Sequence, residues 1–271
     1  MDPVRIGITA NPNIAGTPDL VRRIVKLCQG HDIVLEAEIA ASLRRKGMAL
    51  ADMEIDMVLA VGGDGTILRA FQLTDAVVLG INSGSFGFLA ELVADEVGAF
   101  LPKAIRGDYR LEERMRIKTM VDGHRLPDSL NEAVIHTAHI AKIRSFEVLV
   151  DGQSADRFRA DGVIVATPTG STSYAMSTGG PLVDPRVDAI LVTAIAPFQP
   201  AFHPFVFPAT SEVRVRIVRA KECLLVLDGQ REVPLNGTEN LAFSRSEKPA
   251  RLVRFRQDFY HRVSEKLARP D

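Results

Sequence analysis

Over its first hundred residues the chain alternates apolar runs with helix-patterned stretches, and this limits its possible folds more than any other feature. Val4–Thr9 reads as a buried strand, and Pro18 after Thr17 opens a helical stretch to Leu27. Ile33–Leu35 is a short strand candidate, followed by a helix through Arg45. Ile55–Val61 is apolar enough for a central parallel strand, Thr66–Leu73 suits a helix, and Ala76–Ile81 suits another strand. Parallel strands need crossovers and helices supply them. The alternation therefore predicts an α/β unit whose parallel sheet is covered on its faces.

After about Gly107 the texture changes. Leu111–Val121, Glu132–His136, Ser145–Val150 and Phe158–Ala166 show rough period-two alternation, with turn signals at Asp122–Gly123 and Asp151–Gly152. Val213–Val218, Cys223–Leu227 and Leu252–Phe255 continue the pattern, which predicts a mainly antiparallel β domain. Asp258–Leu267 reads as helical, with Phe259, Val263 and Lys266 near one face. The expected organisation is an α/β domain over 1–105, a β-rich domain over 106–256, and a C-terminal helix over 257–271 that packs back on the first domain.

At 271 residues the chain can bury a large core, and two domains are expected. The net charge of −1 gives no sign of a bulk nucleic-acid binder. The charged stretch Arg106–Lys118 mixes both signs and reads as a solvated strand pair. Two cysteines, Cys28 and Cys223, lie far apart and outside any CxxC pattern, which fits a reducing cytoplasm. MDPVRIGITA lacks the layout of a signal peptide, and no apolar run approaches the roughly eighteen residues of a membrane span. A cytoplasmic location without a membrane is expected.

In AVGGDGTILRA, Ala60–Ala70, the glycines Gly62, Gly63 and Gly65 lie just past a strand end and Thr66 opens a helix. Ligands of open α/β sheets bind outside the carboxyl ends of strands, and the first turn of a helix offers free N–H groups to phosphate. Asp64 is a poor direct contact for phosphate. It suits a base beside a nucleophilic hydroxyl or a metal's outer shell. A strand-to-helix turn with Asp64 capping the helix accounts for the same residues. A second dense stretch, DGVIVATPTGSTSYAMSTGGPLVDP at 161–185, follows a strand with Thr167, Thr169, Ser171, Thr172, Ser173 and Tyr174. Two such loops in one chain favour sugar or phosphate binding over bland turns.

GGDGT at 62–66, NSGSFGFL at 82–89, NEAVI at 131–135 and DGVIVATPTGSTSY at 161–174 together resemble the NAD kinase family across almost the whole chain. GGDG loops also occur in diacylglycerol, sphingosine and 6-phosphofructo-kinases; the TPTGSTxY segment is far more specific. The resemblance implies an NAD kinase-like two-domain fold with the active site between the domains. It also implies phosphoryl transfer from ATP or polyphosphate, with Mg²⁺, to the adenosine-ribose 2′-hydroxyl of NAD. Asp64 matches the aspartate regarded as the base, and Gly62, Gly63, Gly65 and Thr66 would hold phosphates. Asn131 and Glu132 match a pair that contacts the adenosine half, an amide suiting an adenine edge and a carboxylate a ribose hydroxyl. Asp161, Thr169, Thr172, Ser173, Tyr174 and Ser177 match positions that line the dinucleotide site. Phe86 and Phe88, in the GFL segment, either touch ligand or pack. Asp228 and Gln230 match a DGQ turn near the site, which is equally a hairpin turn between Leu227 and Val233. Ser173 stands where Ala is commoner, and His203–Pro204 where an Arg–Pro pair is commoner. His136 and His139, at i and i+3, face opposite sides of a strand and make no metal site. The resemblance also implies a homodimer or homotetramer.

Overall fold

The computed structural model describes residues 4–84, 87–198 and 202–267. Taken in chain order, the first elements are β1 (Arg5–Ala10), α1 (Thr17–Leu27), β2 (Asp32–Leu35), α2 (Ala37–Ser42), β3 (Met57–Gly62), α3 (Asp64–Leu73), β4 (Val77–Asn82), β5 (Leu92–Val93), α4 (Val97–Ile105) and β6 (Arg110–Arg114). Next come β7 (Ile117–Val121), β8 (His124–Arg125), β9 (Glu132–Thr137), β10 (Arg144–Val150), β11 (Gln153–Ala160), β12 (Gly162–Ala166), α5 (Tyr174–Ser177), β13 (Ala189–Ile195) and β14 (Phe205–Pro208). The last are β15 (Val213–Ile217), β16 (Cys223–Leu227), β17 (Arg231–Leu235), β18 (Leu241–Arg245), β19 (Ala250–Arg254) and α6 (Phe259–Leu267). The chain divides into two compact units: one runs up to Glu113 and resumes at Ala250, and the other is Arg114–Pro249.

The first unit is built on a sheet ordered β2-β1-β3-β4-β19-β6, with β5 also paired to β4. The β1–β2, β1–β3, β3–β4 and β4–β19 pairs are parallel. β1 has five buried residues in succession and β3 six, because helices cover both faces and leave no polar side to alternate with. Leu20, Val21 and Ile24 of α1 and Val97, Leu101 and Ala104 of α4 join one core with Ile6, Ile8, Leu59 and Leu79. α3 lies against β4 so closely that a Cβ at Gly80 would come within 2.4 Å of Ile67 Cδ1. The strand order reverses at β1, between β2 and β3, so the loops after β1 and β3 flank a crevice at the switch point.

In the second unit two six-stranded sheets, β11-β10-β15-β18-β7-β8 and β14-β13-β12-β9-β16-β17, are antiparallel in every recorded pairing. Phe146, Val148, Phe158, Val215 and Phe243 of the first sheet share a core with Ile135, Val163, Val165, Val192 and Leu225 of the second. β15 alternates strictly, with Val213, Val215 and Ile217 buried and Arg214 and Arg216 exposed. β12 is buried throughout: Val163 and Val165 enter the shared core, while Ile164 and Ala166 pack with Ala175 of α5 on the other face.

Four expectations are corrected. Leu252–Phe255 does not continue the antiparallel pattern; β19 lies parallel to β4, Leu252 opposite Val78, and its apolar pair is buried as a central strand requires. The β-rich unit accordingly runs 114–249, where 106–256 was expected. The runs 111–121 and 158–166 are each two strands in different sheets, broken at Met115–Arg116 and at Asp161. Arg114 and Arg116 are not solvated but 7% and 4% exposed, since the chain crosses between sheets at that point. Among the described residues no helix is long and apolar enough to cross a membrane.

Candidate active site

α3 begins at Asp64, two residues beyond the last strand residue of β3, with Gly63 as its extended N-cap. No side chain caps this end, which leaves its first amides and the positive end of the helix dipole toward the crevice. Gly62 is needed sterically: a Cβ there would stand 2.3 Å from Thr66 Oγ1. Gly63 is different, because its φ of −91° suits any residue and a Cβ there would meet nothing within 4 Å. Gly65 is exposed in the first turn, and the Thr66 N–H donates to Gly63 O at 3.0 Å.

Asp64 does not cap its own helix. Its Oδ2 accepts the Phe88 N–H at 2.7 Å and its Oδ1 the Leu89 N–H at 3.1 Å. Gly87 makes this fit possible, for a Cβ there would lie 2.0 Å from Asp64 Oδ1. The carboxylate is thus fixed by two amides, is half-buried, and keeps lone pairs for a further proton. The amides were not visible in the sequence as partners, although both lie in the NSGSFGFL stretch. Phe88 is half-buried, with Lys266 Nζ 5.3 Å from its ring centroid. Phe86 falls outside the described residues.

The second unit gathers a cluster of its own. Glu132 opens β9 and Asn131 directly precedes it, and both are buried. The Asp228 carboxylate clamps their backbone: Oδ2 accepts the Leu130 N–H at 2.7 Å, and Oδ1 accepts those of Asn131 at 2.8 Å and Glu132 at 3.0 Å. Asp228 and Gly229 also form the left-handed turn between β16 and β17, with φ of 50° and 65°, while Gln230 is exposed. Turn and clamp are the same residue. The Thr167 N–H donates to Asn131 O at 2.8 Å, and Thr167 Oγ1 donates to Leu130 O at 2.6 Å. Ser173 Oγ donates to Glu132 Oε1 at 3.0 Å, whereas Glu132 Oε2 is buried without a partner.

Several of the expected hydroxyls are already engaged. Thr169 Oγ1 accepts from Arg114 Nη1 at 3.2 Å, and Thr172 Oγ1 donates to Thr169 O at 3.2 Å. Tyr174 and Ser177 are exposed on α5. Ser173, where Ala is commoner, is the hydroxyl partner of Glu132. In the sequence Arg114 is one cation of a charged run and Thr167 one hydroxyl among many, with nothing to single either out. Asp161 stands apart. Glu132 pairs with Ala166 at one end of β12, and Asp161 precedes Gly162 at the other, about 17 Å away along an extended strand. His139 Nε2 lies 2.7 Å from Glu222 Oε2, and no metal-binding group of three or more His, Cys, Asp or Glu exists among the described residues.

Burial first, then the neighbouring Asp228 charge, pushes the Glu132 carboxyl up to about 8, against the Ser173 hydrogen bond. Burial also raises Asp228, to about 6, against the three amides and the Arg116 charge. Both groups therefore hold protons in the folded state that the unfolded chain, with ordinary values of 4.5 and 3.8, has released. Stability from this pair is complete below the ordinary values and is lost as pH rises through about 6 and then about 8. Thermal melts should show that decline, and Glu132→Gln should flatten its upper part. An unaltered slope in Glu132→Gln excludes Glu132 as the source.

Residues 6–109 match the model of the ATP-NAD kinase N-terminal domain, and residues 130–255 that of the ATP-NAD kinase C-terminal domain. The chain is 42% identical to an NAD kinase of Thermoplasma acidophilum over 87% of each chain. It is 39% identical to an NAD kinase of Methanothermobacter thermautotrophicus over 97% of this chain and 96% of that one. Among solved structures, an Archaeoglobus fulgidus NAD kinase in complex with ATP superposes with a TM-score of 0.76 at 27% identity, covering 97% of this chain and 98% of that one. A yeast NADH kinase complexed with NADH superposes with a TM-score of 0.88 at 23% identity, covering 99% and 88%, a likeness of fold.

Proposed function

The chain belongs to the NAD kinase family, a phosphotransferase family with an alcohol acceptor, and on that premise we propose how its residues divide the work. Asp64 is the base that takes the proton of the adenosine-ribose 2′-hydroxyl of NAD as the phosphoryl group arrives, giving NADP. The single observation carrying this role is a carboxylate held between the Phe88 and Leu89 amides at the open end of α3. Two fixed hydrogen bonds set its position without occupying all its lone pairs, so proton transfer needs little reorganisation. Gly63, which neither φ nor packing requires, leaves room for the donor's phosphates against the α3 amides, beside Gly62, Gly65 and Thr66.

Donor identity rests on likeness: the Archaeoglobus relative is complexed with ATP, and we propose ATP or polyphosphate here. Magnesium, or another divalent cation, fits this chain as a phosphate-borne ion. Asp64 offers one carboxylate, and no cage of protein ligands exists among the described residues, a donor set that suits a mostly hydrated ion shared with phosphates. When bound, such an ion neutralises charge on the transferring group.

For the acceptor, Asn131 and Glu132 take the adenosine half of NAD, with Glu132 Oε2 as the unpaired atom awaiting a ribose hydroxyl. Thr169, Thr172 and Ser173 support that edge through the contacts already described, while Tyr174 and Ser177 supply exposed contact surface. Asp161, at the far end of β12, serves a distant part of the dinucleotide or a neighbouring subunit's site in a homodimer or homotetramer. A cytoplasmic setting accords with two buried free thiols.

NADP formation from NAD with ATP and Mg²⁺, and again with polyphosphate, tests the assignment directly; absence of product with both donors would refute it. Gly87→Ala gives a sharper test of the base, since the added methyl collides with Asp64 Oδ1 while leaving every charge in place. Turnover should fall by about tenfold or more, with KM for NAD within about twofold. Wild-type turnover in that variant would show that the carboxylate's placement is immaterial.

A further inference from the structure

Peptide 88–91 presents two amides to Asp64 on one side. On the other it is gripped by residues from the C-terminal end of the chain. Arg254 Nη1 donates to Leu89 O at 2.8 Å, and Arg262 Nη1 donates to Ala90 O. Glu91 lies between the two guanidinium groups, its Oε2 3.2 Å from Arg254 Nη1 and 3.4 Å from Arg262 Nη2. Its Oε1 accepts the Phe255 N–H at 2.7 Å and the Arg256 N–H at 3.0 Å. The outer nitrogens are also engaged, Arg254 Nε with Glu112 Oε2 at 2.7 Å and Arg262 Nε with Asp258 Oδ1 at 2.8 Å. Side-chain exposure is 6% for Arg254, 4% for Arg262 and 0% for Glu91, so water does not compete for these bonds.

Buried ion pairs of this kind seldom add net stability over apolar packing, because desolvation consumes the Coulombic gain. What they supply is geometry. A guanidinium fork reaches a carbonyl and a carboxylate together, which a lysine cannot. The carbonyls of Leu89 and Ala90 are fixed by Arg254 and Arg262, and that fixes the neighbouring peptide planes whose N–H groups aim at Asp64. We infer that Arg254, Glu91 and Arg262 are positioning residues for the phosphoryl-transfer reaction, holding the Phe88 and Leu89 amides, and through them the Asp64 carboxylate, in place. This rests on the assignment of Asp64 as base.

The test uses the full chain with Arg262→Gln, and with Asp258→Asn as a milder variant that removes the charge paired with Arg262 Nε. Arg262→Gln is expected to lower kcat by about tenfold to a hundredfold, with KM for NAD within about twofold. Asp258→Asn should shift kcat in the same direction by less. Hydrogen exchange at the Phe88 and Leu89 amides should speed up in both, while Val58 and Leu59 in β3 stay protected. In an Asp64→Asn background Arg262→Gln should cause no further drop in kcat, because the group it positions is gone. Unchanged exchange at both amides, or a fully additive kcat loss in the double variant, overturns the positioning role. Wild-type turnover in Asp64→Asn alone overturns the base assignment instead, and exchange at Phe88 and Leu89 separates that result from failure of the arginine network.

Discussion

Asp64→Asn is expected to lower turnover by about two to four orders of magnitude, the usual cost of removing a general base. The amide retains the shape of the carboxylate but cannot accept the 2′-hydroxyl proton. It also changes the local bonding. Asp64 accepts two backbone N–H groups, one on each oxygen, whereas asparagine has one acceptor oxygen and must turn its NH₂ toward the Phe88 or Leu89 donor. One bond is lost and two donors face each other, a local cost of about 1–3 kcal/mol. The variant should therefore show faster exchange at one of those amides, a modest loss of stability, and a KM for NAD much less altered than kcat. Turnover within about fivefold of wild type would exclude the base role.

The other large effect is expected from Gly170→Ala, in the TPTG segment. A Cβ at Gly170 would lie 2.2 Å from Asn131 O, 2.7 Å from its carbonyl carbon and 3.0 Å from its Cα. All three are backbone atoms, so no side chain can rotate away. The same carbonyl accepts the Thr167 N–H, which ties the loop on its other side. Relief requires the start of β9 to separate from the TPTG turn, carrying Asn131 and Glu132 away from Ser173. The expected cost is about 3 kcal/mol, near the top of the range for overpacking. A clear fall in Tm and a rise in KM for NAD larger than that for ATP should follow. A Tm within about 1 °C of wild type, with unaltered KM for NAD, would show that this contact is dispensable.

Much of the fold was legible because periodicity reports which faces are buried. β1, β3 and β4 read as continuous apolar runs since helices cover both faces, and β15 alternates since one face meets solvent. What periodicity does not report is the partner strand. β19 and β15 look alike as short apolar runs, yet one completes a parallel sheet begun far upstream and the other joins a sandwich. In α6, Phe259, Val263 and Lys266 suggest the packed face, but the most buried of the described side chains there is Arg262, whose partners include the distant Ala90 carbonyl and Glu91 carboxylate. The site followed the same division. Asp64, Asn131 and Glu132 stand in recognisable motifs, whereas the Phe88 and Leu89 amides and the Asp228 clamp act through backbone that carries no letter of its own.

The return of β19 and α6 to the first unit has a consequence for biosynthesis. A ribosome makes β4 early, but the strand that lies beside it and the arginines that grip Leu89 and Ala90 emerge only after the whole of 114–249. The intervening unit can fold by itself while still tethered, because its two sheets are complete within one continuous segment. The first unit is not complete by then; apart from the two-residue β5, the β4 edge stays open until β19 emerges. A chain that stops short would therefore carry every motif from GGDGT to DGQ and still lack the strand and arginines that close this sheet, leaving an exposed β4 edge for chaperones and proteases to detect.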